Sequence, residues 1–427
     1  MMKSVRALVL LVLSSMFALG PLGASGQTTP APLFKVKGYL YLRYLYVGSA
    51  AASSAYSGFL GMGSFRLSAF DDKVSFIYRS HHWMSFARTP SSVLESPYEN
   101  RHIIQTIAVE TNGIGWPGLK VRAGRFFPEL DYASTPVIDG GSASWETAGF
   151  ALRAAVGRVV DLWNGSEDGP GVFAAFQVKV RSRFFAVSAG FNGGALGDVK
   201  RRELPAGVSV FLGDRVWAEA YAAYDPARKE LARAGLSLSW HSDEATFSFS
   251  ASEWRNAFDQ LTLLDKSRTL TTWGLFDQSV PAVYRDIRIS GSFSADGWNA
   301  RGNAGYMGGV RSGWLAGASV SPPDFGGWRF TADVQAMKTD MVEFYAFEGT
   351  LAGEIGPLFV ELQSQLRSYR WISGSIGDTI VDDYSEISVE YPLARHLYAS
   401  AGFGGYIRQL GNEGFKPQAE ARLIFRF

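Results

Sequence analysis

The chain contains no cysteine in its 427 residues. That excludes disulfides, thiolate metal centres, a lipoprotein anchor and haem attached through a C-x-x-C-H motif. Histidine is nearly as scarce, with five residues: His81, His82, His102, His241 and His396. Of these, only His81 and His102 stand near the outer ends of neighbouring strand patterns, where two solvated imidazoles explain them better than a metal does. Beyond residue 19 no apolar run approaches the roughly 20 residues of a membrane helix. Charge of neither sign is in excess, because 41 Lys and Arg face 40 Asp and Glu, so nothing argues for nucleic acid as a partner. No Ser-His-acid set stands out, the acidic stretch 161–171 lacks an EF-hand spacing, and Gly58, Gly61 and Gly63 lie in a strand pattern with no helix behind them. Neither a catalytic residue nor a metal or cofactor site is expected.

What the chain does contain is alternation. Reading back from the carboxy terminus, Phe427, Phe425, Leu423, Ala421 and Ala419 fall on one face, with Arg426, Arg422 and Glu420 on the other. Successive side chains of a strand point to opposite sides, so one face suits hydrocarbon and the other suits water. Further segments repeat the pattern. Val36, Leu40, Leu42 and Tyr44 oppose Lys35, Lys37 and Arg43, and Val172, Ala174, Phe176 and Val178 oppose Gln177, Lys179 and Arg181. Ile287, Ile289 and Phe293 oppose Asp286, Arg288 and Ser290. Each stretch has about the 9–11 residues that a tilted strand needs to cross a bilayer. A soluble all-β protein also alternates, but it gives no reason for a charge-free stripe repeated down the chain.

The amino terminus carries Lys3 and Arg6 ahead of the apolar stretch 7–19 and the small residues Gly23, Ala24, Ser25 and Gly26. This has the form of a secretory signal peptide over 1–26, cleaved on export, with a short extension at 27–33 and the strands at 34–427. The closing strand resembles that of Gram-negative outer-membrane β-barrels, which end in Phe. The resemblance implies that Leu423, Phe425 and Phe427 form an assembly signal read by the barrel-assembly machinery. It also implies that the protein sits among outer-membrane lipid and lipopolysaccharide.

Connection lengths set the topology. Short turns at 69–73, 181–183, 212–215, 240–245, 294–297 and 391–396 alternate with longer polar linkers at 84–100, 128–138, 159–170, 192–205, 253–283 and 368–383. In transmembrane barrels the short turns are periplasmic and the long loops extracellular. Splitting residues 139–158 at a tight turn over 147–149 completes the alternation. The expected fold is an all-β, transmembrane, antiparallel up-and-down β-barrel of about 22 strands, within a range of about 18–26. Phe70, Trp116, Trp240, Trp298 and Trp328 fall beside the short turns, as an interfacial aromatic girdle requires.

A ring of this size encloses an aqueous lumen, and only seven residues, 27–33, precede the first strand, too few for an amino-terminal plug. Outward apolar stripes point Arg43, Arg66, Arg79, Arg122 and Arg153 inward, with Lys35, Lys37, Lys120 and Lys179. Glu361, Glu386, Glu390 and Glu420 line the later strands. Charges arranged in this way favour hydrophilic permeants over apolar ones. The segment GRFFPELDYASTPVIDGGSASWE, residues 124–146, resembles the strand, inward loop and strand of the superfamily of phosphate-selective and alginate-export porins. That resemblance implies that Arg125 and Asp139 lie near a constriction, with Glu129 and Asp131 facing the arginine wall. The segment lacks the lysine cluster of the phosphate-selective members, so phosphate selectivity does not carry over. The expectation is a passive channel for small hydrophilic solutes. The alternative is a structural sheath around a partner such as a multihaem cytochrome, and a homo-oligomer or a periplasmic or surface partner stays open.

Overall fold

A computed structural model describes residues 34–47, 56–85, 101–132, 135–160, 171–196, 199–255, 283–308, 312–339, 342–371, 379–408 and 416–426. The expected signal segment, the extension at 27–33 and Phe427 lie outside these residues, as do 161–170 and 256–282. The described chain forms a 22-stranded sheet in which each strand is antiparallel to the next and the first pairs with the last. The barrel therefore has no free edge, the one arrangement besides a helix that satisfies every backbone group in hydrocarbon.

In chain order the first strands are β1 (Phe34–Val47), β2 (Tyr56–Ala69), β3 (Val74–Ser85), β4 (Arg101–Asn112), β5 (Leu119–Phe126) and β6 (Ile138–Glu146). They continue with β7 (Phe150–Val159), β8 (Val172–Arg181), β9 (Phe185–Leu196), β10 (Val199–Leu212), β11 (Val216–Asp225) and β12 (Glu230–His241). The closing strand is β22 (Lys416–Arg426), which joins β1 through pairs such as Leu42 with Leu423 and Arg43 with Arg422.

One end of the barrel carries tight turns, and their chemistry is visible in the sequence. Thr147, Ser182 and Ser242 each accept, on the side-chain oxygen, the backbone N–H three residues on, at 3.2, 3.1 and 3.0 Å. Their hydroxyls thus close the turn in place of a ladder bond. Asp296 and Gly297 both take positive φ, 51° and 80°, the geometry of a two-residue hairpin turn. Phe70 and Trp116 stand at this turn end with 70% and 66% of their surface exposed, which rules out a place in a packed core.

The opposite, loop end departs from the expectation of uniformly long connections. Residues 192–205, read as a linker, are instead the upper halves of β9 and β10, which run to Leu196 and restart at Val199. Their polar side chains misled the reading: Asn192 and Glu203 are buried in the inner wall, not in a solvated loop. Between β11 and β12 only residues 226–229 intervene, and the Asp225 carboxylate caps them by accepting from the backbone N–H of Ala227 (2.8 Å) and Arg228 (3.2 Å).

The two faces of the wall invert the usual distribution of a soluble domain. Val156 and Phe347 are 58% and 53% exposed on the outside, while Glu203 and Glu110 are 0% and 3% exposed on the inside. Such a surface is stable only against lipid.

Candidate functional site

The interior is narrowed by the connection between β5 and β6. Residues 127–132 and 135–137 turn inward because the inner face beneath them is apolar: Phe126, Ile138, Val159 and Phe173, with Ala108 and Ala155, form a buried cluster against which Leu130 packs. Covering part of a leucine there contributes roughly 1–2 kcal/mol to docking. These inward apolar residues were not anticipated, although Phe126, Phe173 and Val159 already broke the polar parity of their strands.

Ionic contacts then fix the segment. Asp131 accepts from Arg153 Nη1 at 2.9 Å and Lys179 Nζ at 2.8 Å. The Gln177 amide clamps the main chain of the same residue, donating to its carbonyl at 2.8 Å and accepting from its N–H at 3.0 Å. Glu129 lies 2.8 Å from Arg122 and 3.3 Å from Lys120. Burial works against charge on both carboxyls, and the cations outweigh it, Arg122 and Lys120 for Glu129 and Lys179 and Arg153 for Asp131. Both groups are held below their ordinary values.

Beyond Asp131 the segment reaches a second part of the wall. Tyr132 Oη lies 3.0 Å from Ser209 Oγ and donates to Glu219 at 3.1 Å. Its ring stacks on Tyr221 with centroids 5.3 Å apart and planes inclined by 10°. Gly207 makes this possible, since a Cβ there would occupy the space of the Tyr132 ring. Gly235 gives Tyr221 the same room one strand pair further on. Burial and the Glu219 acceptor push the phenol up to about 12.

The wall facing this segment is a charge ladder. Glu110, on β4, receives Arg66 (2.9 Å), Arg122 (2.5 Å) and Lys120 (3.2 Å). Arg153 also binds Glu146 at 2.8 Å. At the closing seam Glu420 of β22 takes Arg43 of β1 and Arg422 of its own strand. Arg79, on the inner face of β3, has no carboxylate partner among the described residues. Elsewhere the lining mixes hydroxyl, amide and charged groups: Thr246 meets Ser292 at 2.7 Å, Ser248 meets Ser290 at 2.6 Å, Asp286 pairs with Arg288 at 2.8 Å, and Glu348 accepts from Gln363 and Gln365 at 2.7 and 2.8 Å.

The structure thus places Arg43, Arg66, Arg79, Arg122 and Arg153 on the inner wall, with Glu129 and Asp131 inside on the segment. Arg125 and Asp139 are a correction. Arg122 lies over the Phe126 ring at 5.5 Å on the inner face, so strict alternation turns residue 125 outward. Arg125 binds Asp139 through two bonds of 2.7 and 2.8 Å on the outer face, where its neighbour across β4 is the exposed Ile107. The histidines also differ from expectation: the ring that meets His102 is His82, at 5.5 Å, because His81 lies one step off and faces the other side of β3. Among the described residues no group of three His, Asp or Glu assembles around a metal position.

No protein family matches this sequence, and no curated protein matches it. Among solved structures it is similar to Pseudomonas aeruginosa OpdK, solved with vanillate, at 10% identity over 92% of this chain and 98% of that one, with a TM-score of 0.45. It is similar to P. aeruginosa OccK2 (OpdF), solved in complex with glucuronate, at 9% identity over 92% and 98%, with a TM-score of 0.44. It is also similar to the P. aeruginosa siderophore receptor PirA, at 11% identity over 93% and 81%, with a TM-score of 0.52. The last likeness concerns fold alone, and it agrees with the closed, antiparallel ring of 22 strands.

Proposed function

We propose that this barrel is a passive channel for small hydrophilic solutes in the outer membrane of a Gram-negative cell. The observation that supports it best is the inward segment, held by Asp131 and Tyr132 to two parts of a charged and hydroxylated inner wall. Barrels of 16–18 strands already enclose water, so a ring of this circumference is narrowed by one such segment and not filled by it. Ionised groups in fixed pairs reward polar solutes and penalise apolar ones, which would have to strip water from Glu110, Arg122 and Arg153 without replacing it. The reading assigns no catalytic residue and no cofactor.

A sheath around a multihaem cytochrome needs an open bore. The fastened segment occupies part of that bore, which weighs against this alternative. Reconstitution in planar bilayers tests the channel directly: discrete, salt-dependent conductance steps support it. An electrically silent barrel that co-purifies with a stoichiometric protein partner would overturn it.

A further inference from the structure

Towards the loop end of β4 the alternation of faces is broken once. Ile107 and Val109 are exposed on the outside while Ala108 and Glu110 are buried inside, so strict parity would turn His102 inward. A bulge reverses it. Arg79 of β3 faces Thr106, but the next residue, Ser80, faces Ile104, so Gln105 is passed over and the residues beyond it change side. His102 thereby stands directly across from His82. On β3 itself parity is kept: Tyr78, Ser80 and His82 share one face, and Tyr78 stacks on Phe65 of β2 with centroids 5.2 Å apart, opposite in parity to the inward Arg66. The outer row through the two histidines reads Leu42, Gly61, His82 and His102, with no carboxylate and no cation in it. Bulges recur next to functional sites because they re-aim a side chain in this way.

The spacing of the two rings suits a shared ion. A ring nitrogen binds zinc at about 2.0–2.1 Å, which sets the ring centroid about 3.2 Å from the metal, so two imidazoles on one ion at angles between tetrahedral and trigonal have centroids about 5.2–5.5 Å apart. The observed separation is 5.5 Å, with the planes inclined by 50°. Access is open as well. β5 pairs with β4 only from Ile107 onward, so no described strand lies beside His102 on that side, and its side chain is exposed. His82 lies eight residues from Val74, where β3 leaves its turn, close to the 9–11 residues that a tilted strand spends in the bilayer. Water therefore reaches the pair and can fill the positions that the protein leaves open. Imidazole suits zinc, copper and nickel, whereas magnesium and calcium require oxygen ligands that this row does not offer.

We infer that His82 and His102 form a two-histidine site for a divalent transition-metal ion on the outer rim of the barrel, brought onto one face by the bulge at Gln105, with water completing the coordination. The site lies outside the lumen and stands whether or not the barrel conducts.

The test is isothermal titration calorimetry of the tag-free, detergent-purified full chain, first stripped of metal with a chelator, against zinc and against magnesium. Wild-type protein is expected to bind one zinc ion per chain and no magnesium. His82→Asn and His102→Asn should each lower zinc affinity by about a hundredfold, because the second imidazole acts at high effective concentration once the first has bound. His81→Asn changes the imidazole on the opposite face of β3 and should leave the affinity unchanged. Resistance to SDS without heating serves as the folding control. A readout that needs no variant is the electron paramagnetic resonance spectrum of the wild-type chain loaded with one equivalent of copper(II), which should show two imidazole nitrogens on the ion. Zinc binding that persists in folded His102→Asn, a loss in folded His81→Asn equal to that in His102→Asn, or a copper spectrum with fewer than two imidazole nitrogens overturns the inference. So does a wild-type chain that takes up no zinc.

Discussion

Tyr132 lies flat on Tyr221, 5.3 Å between ring centroids, and the two rings come from a loop and a strand 89 positions apart in sequence order from 132 to 221. The stack is where the inward segment meets a strand, β11, other than the two it connects. Replacing Gly207 with Val removes the space that the Tyr132 ring needs while leaving every charged group in place. The expected result in planar bilayers is a larger and noisier conductance, matched by Tyr132→Ala. Unchanged steps in both variants would show that the segment does not narrow the path.

Asp131 is the ionic anchor of the same segment. Asp131→Asn retains the shape but removes the charge that Arg153 and Lys179 share, and charge-assisted bonds of this type contribute about 1.5–3 kcal/mol. Hydrogen–deuterium exchange should rise across residues 127–132, with the barrel strands unaffected.

The pH response of the segment has a definite sign. Glu129 and Asp131 titrate below their ordinary values of 4.5 and 3.8, so their contribution to docking is full above those values and fades only as pH falls through the lowered ones. Tyr132 titrates above its ordinary 10.0, at about 12, so its contribution is full below 10.0 and is lost as pH rises through the higher value. Conductance should therefore be flat over the whole interval between the carboxyl and phenol ranges, and should rise at both extremes. A step centred near neutrality would contradict this assignment.

Selectivity depends on which arginines are already neutralised. Arg66 and Arg122 share Glu110, whereas Arg79 faces the lumen with no carboxylate partner among the described residues. Arg79→Ser alone should move the reversal potential in a salt gradient toward cation preference. The triple change of Arg66, Arg79 and Arg122 to Ser should move it further, because Glu110 and Glu129 then share Lys120 as their one remaining cation.

Glu420 carries the seam. Its carboxylate joins Arg43 across the β1–β22 pairing and is 3% exposed. Glu420→Gln leaves two partly exposed guanidinium groups against a neutral amide, and losing a charge-assisted bond of this kind costs about 1.5–3 kcal/mol. Heat-modifiability on SDS gels should show the folded band lost at a lower temperature than for wild type.

The strand count and order were legible because the period of two leaves little choice. Once Val121 and Ala123 face out, Arg122 must face in, and each short turn then fixes the next strand. The same rule placed Arg125 outward, and expecting it at the constriction meant following the Gly124–Arg125 resemblance over the parity of its own strand. Residues 192–205 misled for a different reason. Polarity signals solvent in an ordinary protein, but inside a barrel it also marks the wall, so Asn192 and Glu203 look like loop residues while buried. Tyr132 was not legible, because its partners Ser209, Glu219 and Tyr221 lie far along the chain and only Gly207, beside an otherwise bulky strand, hints at a neighbour.

A closed antiparallel ring also limits how such a gene can change. Losing one strand from the 22 would bring two neighbours at the seam into parallel alignment, with mismatched ladders facing hydrocarbon. Growth or shrinkage is therefore quantised in whole hairpins, each adding or removing one turn and one loop together. The bore can widen or tighten only in those steps, whereas a single substitution under Tyr132 can adjust it continuously.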